Sequence, residues 1–167
     1  PAVFALNATA LTVSWLPPQL TSGQVILYHI KRNGSVMYSG LNTTYVVGSL
    51  KVYALYAVTV TACTAGGCTE SAVTLCYTGQ AAPRGITAPT IWVTGATSAE
   101  ISWAAPLQQN GVISGYELYR NGSLIQSTSS QTRYIDYSIS PGCTYSYQVV
   151  AYNAVGSITS PTTTITA

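Results

Sequence analysis

The chemistry open to this 167-residue sequence is bounded by one histidine, four carboxylates and four cysteines. General acid and base work needs two titratable groups within hydrogen-bond reach of one substrate. Glu70, Glu100, Glu117 and Asp136 fall at no spacing that would bring two of them together as a catalytic pair. His29 follows Tyr28, and with Tyr28 facing a core the imidazole points to solvent on the opposite face of its strand. A Ser/His/Asp relay would have to join His29 to Asp136, the sole aspartate, from the other half of the chain. Gly66-Gly67 reads as a hairpin tip and not as a phosphate loop. Arg-Gly-Asp does not occur, Arg84-Gly85-Ile86 being the nearest approach. The expectation is no catalytic residue, no cofactor and no metal, with function carried by surfaces.

Cysteine offers a second kind of chemistry. Cys63 and Cys68 flank Thr64-Ala65-Gly66-Gly67 at a hairpin tip, so they face each other closely enough for a disulfide. A staple that stiffens an exposed loop is one reading. A redox or metal role is the other, and zinc would need four ligands where no further His or Cys is near in sequence. Extending the hairpin with paired positions summing to 131 sets Cys76 opposite Leu55, and Cys143 begins the matching strand of the second half. These two are either buried free thiols or cross-links between neighbouring subunits.

All these residues are positioned by an internal repeat. Thr12-Val13-Ser14-Trp15-Leu16-Pro17-Pro18 recurs as Glu100-Ile101-Ser102-Trp103-Ala104-Ala105-Pro106, and Ser22-Gly23 before Tyr28 recurs as Asn110-Gly111 before Tyr116. Arg32-Asn33-Gly34-Ser35 returns as Arg120-Asn121-Gly122-Ser123, all at an offset of 88. Leu50, Tyr56, Val58, Val60 and Ala62 match Ile139, Tyr145, Tyr147, Val149 and Ala151 at an offset of 89, which places a one-residue insertion in an intervening loop. Two domains follow, 1–79 and 89–167, joined by a linker at 80–88, and the chain reads as an excerpt of a longer array. Apolar residues alternate with period two, as in Leu11, Val13 and Trp15, the signature of half-buried antiparallel strands. Asn-Gly at 33–34 and 121–122 supplies the positive φ angles of a type I′ turn, pairing Val25–Lys31 with Val36–Tyr38 and Ser114–Tyr119 with Leu124–Gln126. The fold class is all-β: two tandem seven-stranded antiparallel sandwiches of immunoglobulin-like form.

At this level the residues resemble a known family. A Trp on the second strand, a Tyr on the third, and Ile139, Pro141, Tyr145, Val149, Ala151, Asn153 and Gly156 leading into the last hairpin are similar to the fibronectin type III pattern. The first repeat departs from it, with Val52 where Pro is usual and Thr64 where Asn is usual. The run Ala62 to Thr69, with Asn-Gly-Val-Ile and Tyr-x-Leu-x-Arg-Asn-Gly in the second repeat, is most similar to domains of usherin-like extracellular proteins. The resemblance implies cores built on Trp15, Tyr28 and Tyr56, and on Trp103, Tyr116 and Tyr145. Tyr56 and Tyr145 fit a tyrosine corner, with the hydroxyl bonded to backbone upstream. It also implies a place in extracellular matrix or in links between membranes.

Composition narrows the partners. Charged residues are 6% of the chain against roughly 25% in an average domain. Six scattered basic residues are too few to form the stripe that nucleic acid or anionic lipid requires, and no apolar run approaches the roughly 18 residues of a membrane span. A secreted form would take its targeting segment from outside this chain. Sequons at Asn7, Asn33, Asn42 and Asn121 would carry N-linked glycans in a glycosylating host. Thirteen tyrosines exceed what two such cores hold. Tyr38, Tyr53, Tyr77, Tyr119, Tyr137 and Tyr152 are therefore candidates for outward positions, as contacts or as cross-strand ladders. Phe4 and Trp92 occupy equivalent first-strand places whose facing alternation leaves open; outward, they are contact residues. The reading is a non-catalytic, glycosylated extracellular module that associates with itself or a matrix partner. A receptor ectodomain is an alternative, although Trp-Ser-x-Trp-Ser is absent; an accessory module of a secreted enzyme is another.

Overall fold

The computed structural model describes residues 1–19 and 23–167, so Ser22 of the repeated Ser-Gly pair lies outside the described residues. Two compact units run Pro1–Gln80 and Ala81–Ala167. The first holds β1 (Ala2–Asn7), β2 (Ala10–Ser14), β3 (Leu27–Arg32), β4 (Ser35–Gly40), β5 (Thr44–Val47), β6 (Leu55–Thr64), β7 (Gly67–Glu70) and β8 (Thr74–Tyr77). The second repeats the series as β9 (Thr90–Gly95), β10 (Ser98–Ser102), β11 (Ile113–Arg120), β12 (Ser123–Thr128), β13 (Arg133–Asp136), β14 (Thr144–Asn153), β15 (Ser157–Thr159) and β16 (Thr163–Thr166). No helix among the described residues is long and apolar enough to cross a membrane.

Each unit is a sandwich of two antiparallel sheets. In the first, β1-β2-β5 faces β4-β3-β6, with β7 and β8 both pairing β6. The second has β9-β10-β13 against β12-β11-β14, with β15 and β16 both on β14. The seventh strand is thus one edge strand broken in two, and a serine makes the break. Ser71 N–H donates to Val60 O (2.8 Å) while its hydroxyl accepts the Val60 N–H (3.0 Å), doing for β6 what a neighbouring carbonyl would do. Ser160 repeats both bonds with Val149, at 2.8 and 2.9 Å. One extra residue is absorbed there, so pairs sum to 131 at Cys63↔Cys68 but to 132 at Tyr56↔Cys76. Cys76 therefore lies opposite Tyr56, and the expected partner Leu55 pairs with Tyr77. A side chain competing with the backbone for a ladder bond leaves no trace in strand periodicity.

The turns form as their residues dictate. Asn33 and Gly34 take φ of 48° and 84°, Asn121 and Gly122 50° and 80°, the left-handed pair that a two-residue hairpin needs. Each Asn also accepts a backbone N–H from the neighbouring strand, Ala57 for Asn33 (2.9 Å) and Ser146 for Asn121 (2.8 Å).

Two separate cores result. Trp15, Tyr28, Val58 and Val60 belong to the first, Trp103, Tyr116, Val149 and Ala151 to the second. Trp15 meets Tyr28 edge-on at 5.6 Å, and Trp103 meets Tyr116 at 6.0 Å, geometries that favour aromatic pairs. Tyr56 and Tyr145 are half-buried against these cores, and their hydroxyls accept the N–H of Lys51 and of Ser140, each at 2.9 Å. Residues of the 80–88 stretch add to the second core: Ile86 is buried in it, and Arg84 exchanges backbone bonds with Gln108 at 2.8 and 3.0 Å.

Candidate functional site

Each carboxylate is held in its own local pair. Glu70 accepts from the Thr59 hydroxyl (2.7 Å) and from Lys31 Nζ (3.1 Å), and these two partners, Thr59 first, hold its carboxyl below the usual range. Glu100 is paired with Arg133 on the outer face of the β9-β10-β13 sheet. Glu117 accepts from the Tyr119 hydroxyl at 2.7 Å, a bond that raises the phenol above its ordinary value. Asp136, 2% exposed, accepts from Arg120 Nη1 (2.7 Å) and from the Tyr147 hydroxyl (2.9 Å), and its other oxygen takes the Ser138 N–H (2.8 Å). The first repeat gave no sign of this network, since Val47 and Val58 stand where Asp136 and Tyr147 stand in the second.

His29 lies within 2.7 Å of the Ser39 hydroxyl across the β3–β4 pair. A nucleophile and a base in contact need a third group to orient the base and a recess to hold substrate. The acid in that row of the sheet is Glu70, reached through Thr61, and it is bonded to Thr59 and Lys31. No cluster of three His, Cys, Asp or Glu side chains suited to a metal occurs among the described residues.

Cys63 and Cys68 are joined across the β6–β7 pair. The chain-entropy estimate for so short a loop gives the bond about 2 kcal/mol. Replacing both, Cys63→Ser with Cys68→Ser, is expected to lower the unfolding free energy of the first unit by that amount in urea titration. In the second unit Tyr152 and Ser157 hold the equivalent pair, and the turn is fixed by Asn153 instead, whose Oδ1 accepts the N–H of Val155 (2.9 Å) and Gly156 (3.1 Å). A disulfide and an asparagine thus do the same work on the two hairpins. Cys76 is half-buried against the first core and Cys143 is exposed; both are free thiols.

What remains is surface. Phe4 and Trp92 face outward, 66% and 67% exposed. Across its sheet Phe4 shares a row with Thr12 and Val46, and Trp92 shares one with Glu100 and Ile135. The four sequon asparagines are all exposed. Among the tyrosines expected outward, Tyr77 and Tyr137 are exposed while Tyr38, Tyr53, Tyr119 and Tyr152 are half-buried. Tyr38 stacks on Tyr45 of the opposite sheet at 4.7 Å, and Tyr53, in the turn before β6, stacks on Tyr77 at 5.1 Å. A cleft of about 1020 Å³ opens in the first unit beside the disulfide, lined by Pro1, Trp15, Pro18, Tyr28, Val60 and Cys68 among others.

Two sandwiches with this strand order match one family model, the fibronectin type III domain, over residues 2–75 and 81–166. The chain belongs to the fibronectin type III family. Its two domains are 38% identical to human usherin and 35% identical to mouse usherin, each over 161 residues and 96% of the chain. They span only 3% of either usherin's length. Similarity extends to chitinase Chi52 of Paenibacillus xylanexedens, 37% identical over 83 residues, which is 50% of this chain and 15% of the chitinase. The relatives thus include enzymes as well as usherin. A fibronectin type III sandwich presents loops and sheet faces and fills its interior with side chains.

Proposed function

We propose that these domains form a non-catalytic structural and adhesive module of an extracellular, glycosylated protein, and that they self-associate within a matrix or filament. The observation that carries this reading is the equivalent outward placement of Phe4 and Trp92 on the edge strands β1 and β9. Large exposed aromatics recurring at one place in both repeats favour contact over packing. Neither β1 nor β9 carries a charged residue, so both lack a usual guard against strand association. Four exposed sequons and a stapled hairpin favour an oxidising, glycosylating compartment.

The test is sedimentation velocity over a concentration series, on the chain secreted from a eukaryotic host, with mass measured before and after peptide N-glycosidase. Association that grows with concentration, and that Phe4→Ser with Trp92→Ser reduces at least tenfold, is the expected result. A monomer at every concentration, with no glycan mass, refutes it. The likeness to chitinase Chi52 favours a second reading, an accessory module of a secreted carbohydrate-active enzyme. Retention of the chain on insoluble chitin would support it.

A further inference from the structure

The outer face of β6 and β8 differs in kind from its counterpart on β14 and β16. Val58, Val60 and Cys76 pack on the first core, so alternation turns Leu55, Ala57, Leu75 and Tyr77 outward, Leu55 opposite Tyr77 and Ala57 opposite Leu75. Val73, two residues before Leu75, extends the row. The equivalents 89 residues on are Thr144, Ser146, Thr162, Thr164 and Thr166, with Thr144 opposite Thr166 and Ser146 opposite Thr164. One domain lays hydroxyls where the other lays hydrocarbon. Leu55, Val73, Leu75 and Tyr77 stand 45%, 60%, 63% and 50% exposed.

Tyr53 completes this face at a conformational cost. Its φ is 46°, a left-handed backbone that a residue with a Cβ adopts against its preference, and the second domain has Gly142 there, at 77°. That backbone sets the Tyr53 ring on Tyr77, stacked at 5.1 Å. Strain of this kind collects where a surface has work to do.

We propose that this face docks on the same face of a second copy of the chain, first domain to first domain about a two-fold axis, as a closed pair. Charge selects the occupant: none of the six residues is charged, so the face can oppose itself without burying an unpaired ion. The Lys31–Glu70 ion pair, bonded to Thr59 farther along β6, supplies a self-neutral rim. Area sets the strength. The four exposed side chains offer on the order of 400 Å² of apolar surface, the size at which a patch marks a contact. Doubled about the axis this buries about 800 Å², below the roughly 1,200 Å² of a standing complex, so the pair is transient, with a Kd of roughly 10–500 µM. Because the second domain lacks the face, this contact stops at two copies. It is separate from the contact at Phe4 and Trp92, which recurs in both domains.

The test uses the whole chain carrying Phe4→Ser and Trp92→Ser, so that it reads this face alone. Sedimentation velocity and amide NMR shifts are followed from about 10 µM to 1 mM. A monomer–dimer equilibrium is expected, with concentration-dependent shifts centred on residues 53–59 and 73–77. Adding Leu55→Thr, Leu75→Thr and Tyr77→Thr, the residues the second domain carries at these places, should weaken the pair at least tenfold, and Tyr53→Gly alone about threefold. A monomer throughout the range overturns the proposal, whatever the unaltered chain does through Phe4 and Trp92. Association that survives both sets of substitutions, or that grows beyond two copies, overturns it as well.

Discussion

Asp136→Val is expected to destabilise the second domain by about 3–5 kcal/mol, the usual cost of removing one partner from a buried charge pair. The substitution leaves the Arg120 guanidinium and the Tyr147 hydroxyl without the carboxylate oxygen they share. Valine fits the site itself, because Val47 fills it in the first domain, and there Val58 stands where Tyr147 does. The damage is therefore electrostatic rather than steric. Adding Tyr147→Phe removes one orphaned group, so the double variant should cost less than the sum of the singles by about 1–2 kcal/mol in a urea-based cycle. Additive losses would show that the two side chains are not coupled.

The same network has a pH signature. Burial, then the bond to Asp136, raises the Tyr147 phenol far above the ordinary tyrosine value of about 10. An unfolded chain begins to release this proton near pH 10, while the folded domain retains it, so the unfolded state binds fewer protons above that point. The stabilisation is complete below pH 10 and is lost as pH rises toward the folded value. In Tyr147→Phe this descent should be shallower, measured as the slope of unfolding free energy against pH between about 9.5 and 11.5.

Trp103→Ala is expected to cost the second domain about 3–5 kcal/mol, through lost apolar area and the cavity left beside Tyr116. Trp103→Phe should cost only about 1–2 kcal/mol, in proportion to ring area. The contrast is one of area and cavity alone: Nε1 of Trp103 is buried with no hydrogen-bond partner, as is that of Trp15, so neither variant forfeits a bond. Circular dichroism in urea checks both variants without relying on the indole. If Trp103→Phe were as damaging as Trp103→Ala, shape would outweigh area at this position.

Local chemistry determined much of this protein. Asn-Gly pairs demand left-handed backbone wherever they occur, so both hairpins and their strands are written in adjacent residues. Period-two alternation puts Trp15, Tyr28, Trp103 and Tyr116 inward without reference to anything distant. Cys63 and Cys68 meet because a short hairpin leaves them nowhere else to point.

Tertiary structure decided what depends on a second element. Phe4 and Trp92 alternate with apolar neighbours on both sides, so only the packing of Val3 and Ile91 toward the cores turned the aromatic rings outward. Cys76 moved from Leu55 to Tyr56 because the Ser71 hydroxyl took a ladder bond, a choice between side chain and backbone that periodicity does not record. Asp136 and Tyr147 belong to different sheets, and no strand register relates them. Their contact spans the interior of the sandwich, where closeness is set by how two faces close on each other and not by position along the chain.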